Sequence, residues 1–161
     1  MRHAKDRRDG NPAVATWWIE LIGIVIVGHG GLAREYLHAV EHVVGPQNGV
    51  RAVTIEEEHD RGLKQAEICA AADSVDSGDG VVIVTDLFGG SPSNLSLMAC
   101  TAKNRAILYG ANLPLLVKLA KSRQMSVGDA VAAAKEAGRK YINSYNVDPA
   151  EVVPIASRAV S

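Results

Sequence analysis

The sequence predicts an α/β fold: a three-layer sandwich with a central, mostly parallel sheet of about five strands and helices on both faces. Three observations predict it. The aliphatic runs 21–27 and 81–85 show no polar alternation, which is the pattern of strands buried on both faces. Apolar residues at helical spacing follow such runs, so strand and helix alternate along the chain. Glycines and prolines punctuate nearly every junction.

The elements follow in order. After the first strand, 21–27, comes a glycine turn, and then Ala33, Leu37, Val40 and Val44 recur at helical spacing until "GPQNG" at 45–49 stops the helix. A strand at 50–55 and a helix at 60–72 form the next unit, with the acids of "EEEHD" favoured by the helix N-terminal dipole. Strand 81–85 leads to a helix over 92–101, and strand 106–109 to a helix over 114–122. Ser126 caps a last helix reaching to about 143, since "SVGD" places an acid three residues after the serine. "EVVPI" at 151–155 is left as a short edge strand, because Pro154 cannot donate to a central ladder.

Composition narrows the function. The chain's 161 residues suffice for one domain, expected over 19–161 behind a flexible N-terminal extension 1–18. A net charge of -1 with scattered Lys and Arg argues against nucleic acid or an anionic membrane as partner. The longest apolar run, 17–27, is broken by Glu20 and falls short of the roughly 20 residues that a membrane span needs. The charged start at Arg2, Lys5, Arg7 and Arg8 is followed by no small-residue cleavage site, so a cytoplasmic protein is expected. Cys69 and Cys100 stand apart without a CxxC pattern and read as core residues rather than as a disulfide or zinc site.

In open α/β sheets ligands sit beyond the carboxyl ends of the strands, and two loops there are unusual. "GHGGLA" at 28–33 raises His29 among glycines; "TDLFGGSPSN" at 85–94 follows a central strand. A histidine at a strand end is often a structural residue, but Gly28, Gly30 and Gly31 leave this imidazole uncrowded and the following amides open to an anion. The neutral ring is a nucleophile once its other nitrogen is held by an acceptor, and Asp86 is the natural one. Ser91, followed by Pro92, reads as a helix N-cap; the same helix start, approached through Gly89 and Gly90, could also offer its hydroxyl and amides to a phosphoryl oxygen.

Two other patterns compete. "GHGGLA" matches the dinucleotide fingerprint GxGxxA, with Glu56 where a ribose-binding acid would stand, so a small dinucleotide-binding protein is the alternative reading. That fingerprint gives His29 no purpose. "HAVEH" at 38–42 fits a zinc-peptidase pattern, yet helical geometry turns His38 and His42 away from the apolar stripe and the strand ends, so no metal site is expected. His3 and His59 read as solvated surface.

His29, Asp86 and "GGSP" together carry a resemblance. Over about residues 22–147 the chain resembles the mannose-class enzyme IIA domain of the bacterial phosphoenolpyruvate-dependent sugar phosphotransferase system. The strand followed by "GHG", "VVIVTDLFGGSPSN", and "GANLPLLVKL" at 110–119 are its most specific parts. A dihydroxyacetone kinase phosphocarrier subunit shares the fold, but "LFGGSPSN" favours the mannose class. The resemblance implies a phosphotransferase component in which His29 accepts a phosphoryl group from a small histidine phosphocarrier protein and passes it to a IIB histidine. It implies that Asp86 orients His29 and that Ser91 contacts the phosphoryl group, with neither metal nor organic cofactor. It further implies a homodimer that exchanges an antiparallel C-terminal strand, which suits 151–155. No hinge and IIB domain follow residue 147, so the expectation is a free-standing IIA that feeds a separate IIB or acts as a regulator.

Overall fold

The computed structural model describes residues 21–144. The expected extension 1–18 and the expected edge strand 151–155 lie outside the described residues. Within them the chain runs β1 (Gly23–His29), α1 (Leu32–Val44), β2 (Val50–Ile55), α2 (Arg61–Val75), β3 (Val81–Thr85), α3 (Ser91–Ser96), a 3₁₀ turn (Leu97–Cys100), β4 (Arg105–Tyr109), α4 (Leu113–Lys121) and α5 (Val127–Lys140). The described sheet has four parallel strands, not five, in the order β2-β1-β3-β4.

Alternation along the strands builds the three layers. Ile24 and Ile26 of β1, with Val82 and Val84 of β3, pack on one face against α1, α4 and α5. Val25 and Val27, with Val81 and Ile83, pack on the other face against α2 and α3. Because β1 is paired with β2 on one side and β3 on the other, the chain reverses direction across the sheet between β1 and β3. That is the topological switch point, where the connections leave a crevice beyond the strand ends.

Local boundaries differ from the sequence expectations for physical reasons. β1 runs two residues past 27, because Gly28 and His29 continue the ladder opposite Thr54 and Ile55. His29 is therefore the last strand residue rather than the tip of a turn; the turn falls on Gly30, at φ +51°, and Gly31. The expected helix over 92–101 divides into α3 and the 3₁₀ turn. The Ser96 hydroxyl donates to the Pro92 carbonyl at 2.7 Å, a back-bond that competes with regular helix continuation. Ser91 is not the cap of α3: Gly90 holds that place in extended backbone, no side chain supplies a capping bond, and Ser91 is the first helical residue. Ser126 does cap α5, accepting the Asp129 amide at 3.2 Å, while Asp60 and Asn112 cap α2 and α4 in the same way.

The end of the sheet opposite His29 is closed by two arginines. Arg123 is buried and donates to the Ile22 and Asn48 carbonyls at 2.7 and 2.6 Å, joining the α4–α5 turn to the starts of β1 and β2. Arg105, at the start of β4, reaches Asp73 and Asp76 at the end of α2 at 2.7 and 3.0 Å, and the Ala99 carbonyl at 3.0 Å. Burial pushes the Asp76 carboxyl up, but hydrogen bonds from Arg105 and the Gly78 amide, with the guanidinium charge, outweigh it and hold the group below its ordinary range. Asp76 thus contributes stability above the ordinary carboxylate range, and that contribution disappears as pH falls through its depressed folded value. Arg105→Met should cost about 2 kcal/mol near neutral pH. The gap between variant and parent in urea midpoint should narrow as the medium is acidified; a gap constant with pH would show that this ion pair does not stabilise the fold.

Candidate functional site

Strand alternation sends the His29 side chain to the face shared with α3, and parallel pairing sets it beside the end of β3. One step beyond β3 stands Asp86. Its Oδ2 accepts the His29 backbone N–H at 2.8 Å and lies 2.9 Å from the ring Nδ1. A carboxylate oxygen only accepts, so Nδ1 carries the proton and the lone pair resides on Nε2. The Asp86 side chain is only 10% exposed whereas that of His29 is 49% exposed, so a sheltered anion holds a ring that faces solvent.

Asp86 Oδ1 and Thr85 Oγ1 are buried and find no hydrogen-bond partner among the described residues. Both bonds thus fall on one carboxylate oxygen, and no other donor from the described residues shares the charge directed at the imidazole. Two glycines permit this close packing. A Cβ on Gly28 would stand 3.1 Å from the Ala33 nitrogen and 3.4 Å from Asp86 Oδ2. One on Gly90 would stand 3.0 Å from His29 Cε1 and 3.4 Å from Nε2, so the bare backbone of Gly90 flanks the nitrogen that Asp86 leaves free.

The expected fan of glycine amides is narrower than the sequence implies. The Gly30 N–H donates to the Ile55 carbonyl at 2.9 Å and the Gly89 N–H to Ser93 Oγ at 2.9 Å, so both are engaged. Gly31 and Gly90 are the residues that precede α1 and α3, whose first-turn amides have no intrahelical acceptor. Ser91 stands next to Gly90, half-buried, at the first position of α3.

Sequence reasoning missed Ser93, Asn94 and Tyr36. The Ser93 hydroxyl accepts from Gly89 and donates to the Gly90 carbonyl at 3.0 Å, and Asn94 Nδ2 donates to the Gly89 carbonyl at 3.2 Å, which fixes the loop beside His29. The signal was a second serine two residues after Ser91, a usual turn-bonding residue. Tyr36 donates to the Ala111 carbonyl at 2.9 Å, and the Ala111 amide donates to the Thr85 carbonyl at 3.0 Å, so α1 and the β4–α4 loop are tied to the end of β3. Burial, then the negative charge of Asp86, raises the Tyr36 phenol above its ordinary range, which keeps it a donor. Its position in the apolar stripe three residues after Ala33 was the available hint.

Other motifs stand apart from this cluster. His38 and His42 are exposed on α1, and the described residues contain no group of three His, Cys, Asp or Glu side chains placed to hold a metal ion. Cys69 and Cys100 are free, half-buried and packed against the core. Glu56 accepts from Thr54 Oγ1 at 3.0 Å, and the engaged Gly30 amide removes a donor that a bound pyrophosphate would use, which disfavours the dinucleotide reading. One cleft of about 560 Å³ lies between β4 and α5, and smaller ones lie near Arg123 and beside α4; His29 and Asp86 line none of these. No helix among the described residues is long and apolar enough to cross a membrane.

Fold and site together define a doubly wound α/β protein with an aspartate-held histidine presented at its switch point. The family described as PTS system fructose IIA component matches residues 23–135. The chain belongs to that family and is a mannose-class IIA component of a phosphotransferase system. It is 28% identical over 143 residues to the PTS system mannose-specific EIIAB component of Escherichia coli K12, a match covering 87% of this chain and 44% of that protein. The chain therefore spans less than half the length of that relative. The crystal structure of the PTS IIA protein associated with the fucose utilization operon of Streptococcus pneumoniae is 29% identical, with a TM-score of 0.64, covering 72% of this chain and 90% of that one. The mannose/sorbose specific IIA subunit from Enterococcus faecalis shares the fold at a TM-score of 0.71 and 23% identity, covering 80% and 97% of the two chains.

The geometry makes a prediction independent of function. In the neutral protein, long-range proton–nitrogen correlation spectra should show the His29 ring protonated at Nδ1 alone, and Asp86→Asn should collapse that preference toward a tautomer mixture. An unchanged spectrum in the variant would remove Asp86 as the group that sets the tautomer.

Proposed function

We propose that this chain is a histidine phosphocarrier: His29 Nε2 takes a phosphoryl group from the phosphohistidine of a small histidine phosphocarrier protein and passes it to a histidine of a IIB protein. The single observation that carries this reading is the double hold of Asp86 Oδ2 on His29, which leaves Nε2 without a hydrogen-bond partner among the described residues, beside Gly90 on an exposed ring. In the transfer the donor phosphohistidine reacts with its other ring nitrogen protonated: its P–N bond breaks as the bond to Nε2 forms, and the donor leaves as a neutral imidazole that keeps that proton. Positive charge develops on the His29 ring, and the adjacent carboxylate meets it in a sheltered setting.

Phosphoryl transfer of this kind passes through a loose transition state that asks for alignment and charge stabilisation rather than for further covalent chemistry. The amides that open α1 and α3, with the Ser91 hydroxyl, receive the phosphoryl oxygens in this reading. One phosphorus–nitrogen bond replaces another of the same type, so the exchange is close to thermoneutral and the group can move onward as readily as it arrives. No metal or organic cofactor enters any step. The proposed setting is the cytoplasm, with the chain feeding a IIB protein in sugar uptake or reporting phosphoryl supply as a regulator.

Incubation with phosphoenolpyruvate, enzyme I and the histidine phosphocarrier should add one acid-labile phosphate per chain, and His29→Ala should abolish it. Label persisting in that variant would end the proposal. The reading also includes a homodimer, supported by the edge position of β4, which among the described residues pairs only with β3. The exchange of a C-terminal strand that the resemblance implies is part of this reading. Sedimentation should give the mass of two chains, and removal of residues 150–161 should give one; a monomer at micromolar concentration before truncation contradicts it.

A further inference from the structure

We propose that Leu87 and Phe88 form the apolar anchor onto which the phosphoryl-donating protein docks, an inference that rests on the phosphocarrier reading above. They directly follow Asp86, the residue that holds His29, and they precede the two glycines that leave the flank of the ring open. Leu87 is 58% and Phe88 75% exposed. Single exposed apolar residues are ordinary on protein surfaces. These two are consecutive, and the second is held in place: the Phe88 ring packs edge-to-face on Tyr109, with centroids 4.9 Å apart and planes at 84°.

An aromatic ring that is both fixed and exposed has already lost much of the freedom that binding would otherwise cost it. Such rings, packed at the centre of a contact, dominate binding energy between proteins. Topology adds Leu32 and Leu63, also exposed, to the same rim, since they open α1 and α2 just beyond the ends of β1 and β2. In the sheet order β2-β1-β3, Leu63 therefore follows the strand on one side of His29, and Leu87 and Phe88 follow the strand on the other, while the nucleophile remains polar.

The occupant is a protein rather than a small molecule or a nucleic acid. Small ligands are held in concave sites, whereas consecutive Leu87 and Phe88, both exposed on an open rim, offer apolar area to a protein surface. The exposed carboxylates Glu56, Glu57 and Glu58, just past the end of β2, would repel a polyphosphate backbone at this rim. They fit instead a protein whose phosphohistidine lies in an apolar patch with basic side chains on one side, and they would speed its approach at low salt.

Labelling the intact chain with two donors tests this. One is the phosphorylated histidine phosphocarrier; the other is phosphoramidate, a small donor that needs no docking surface and whose P–N bond breaks to release ammonia. In Phe88→Ala and in Leu87→Ala, the ratio of carrier-driven to phosphoramidate-driven labelling rates should fall about tenfold, through a raised KM for the carrier rather than a lowered kcat. An unchanged ratio overturns the proposal. Equal losses with both donors would make the pair positioning residues for Asp86 and likewise overturn it, as would a change of oligomeric state in the variants, which would assign the patch to a second copy of this chain. If the parent chain takes no label from either donor, the phosphocarrier reading itself fails.

Discussion

One carboxylate oxygen at the junction of two strands organises the carboxyl end of this protein's sheet. Asp86 Oδ2 accepts both the main-chain and the ring N–H of His29, from the adjacent strand β1. The two bonds fix the last residue of β1 and the rotation of its ring together, so the imidazole is set by the sheet rather than by a loop. Both bonds fall on one sheltered oxygen, so the negative charge of Asp86 is directed at the imidazole.

Much of the surrounding structure serves to keep that arrangement possible. The interval from Gly89 to Asn94 is held by its own side chains, with the Ser93 hydroxyl bridging Gly89 and Gly90, so a glycine-rich segment is ordered without bulk near the ring. On the other face Tyr36, Ala111 and Thr85 form a chain of bonds that fastens α1 and the β4–α4 loop to the strand end from which Asp86 projects. At the far end of the sheet Arg105 and Arg123 join helix ends to strand starts, opposite the end that holds His29 and Asp86. The result is a small platform on which the His29 ring stands exposed and held by a sheltered carboxylate.

A family assignment and the geometry bear on different questions. Membership in a phosphotransferase-system IIA family places the chain in a class of phosphotransferase components. The arrangement of this chain's own atoms says which nitrogen is available, which glycine must remain bare and which amides are already engaged. The last of these separates a phosphate-binding pattern in sequence from one in space, since Gly30 and Gly89 sit at the right places but donate inward.

The sequence by itself determined the alternation of buried strands and amphipathic helices, the cap at Ser126, and His29 and Asp86 as residues near the carboxyl ends of two strands. Those features are legible because hydrophobic periodicity, capping and turn chemistry act within a few residues of chain. What only the tertiary structure decided is how far β1 extends, that Gly90 and not Ser91 caps α3, that Ser93 and Tyr36 support the site, and that one aspartate oxygen serves both the backbone and the ring of His29. Each of these depends on groups brought together from separate parts of the chain or on a local competition for hydrogen bonds, as with His29 and Asp86, 57 residues apart, which meet only because β1 and β3 pair. Strand pairing is a choice among non-local contacts, and no local pattern of residues specifies it.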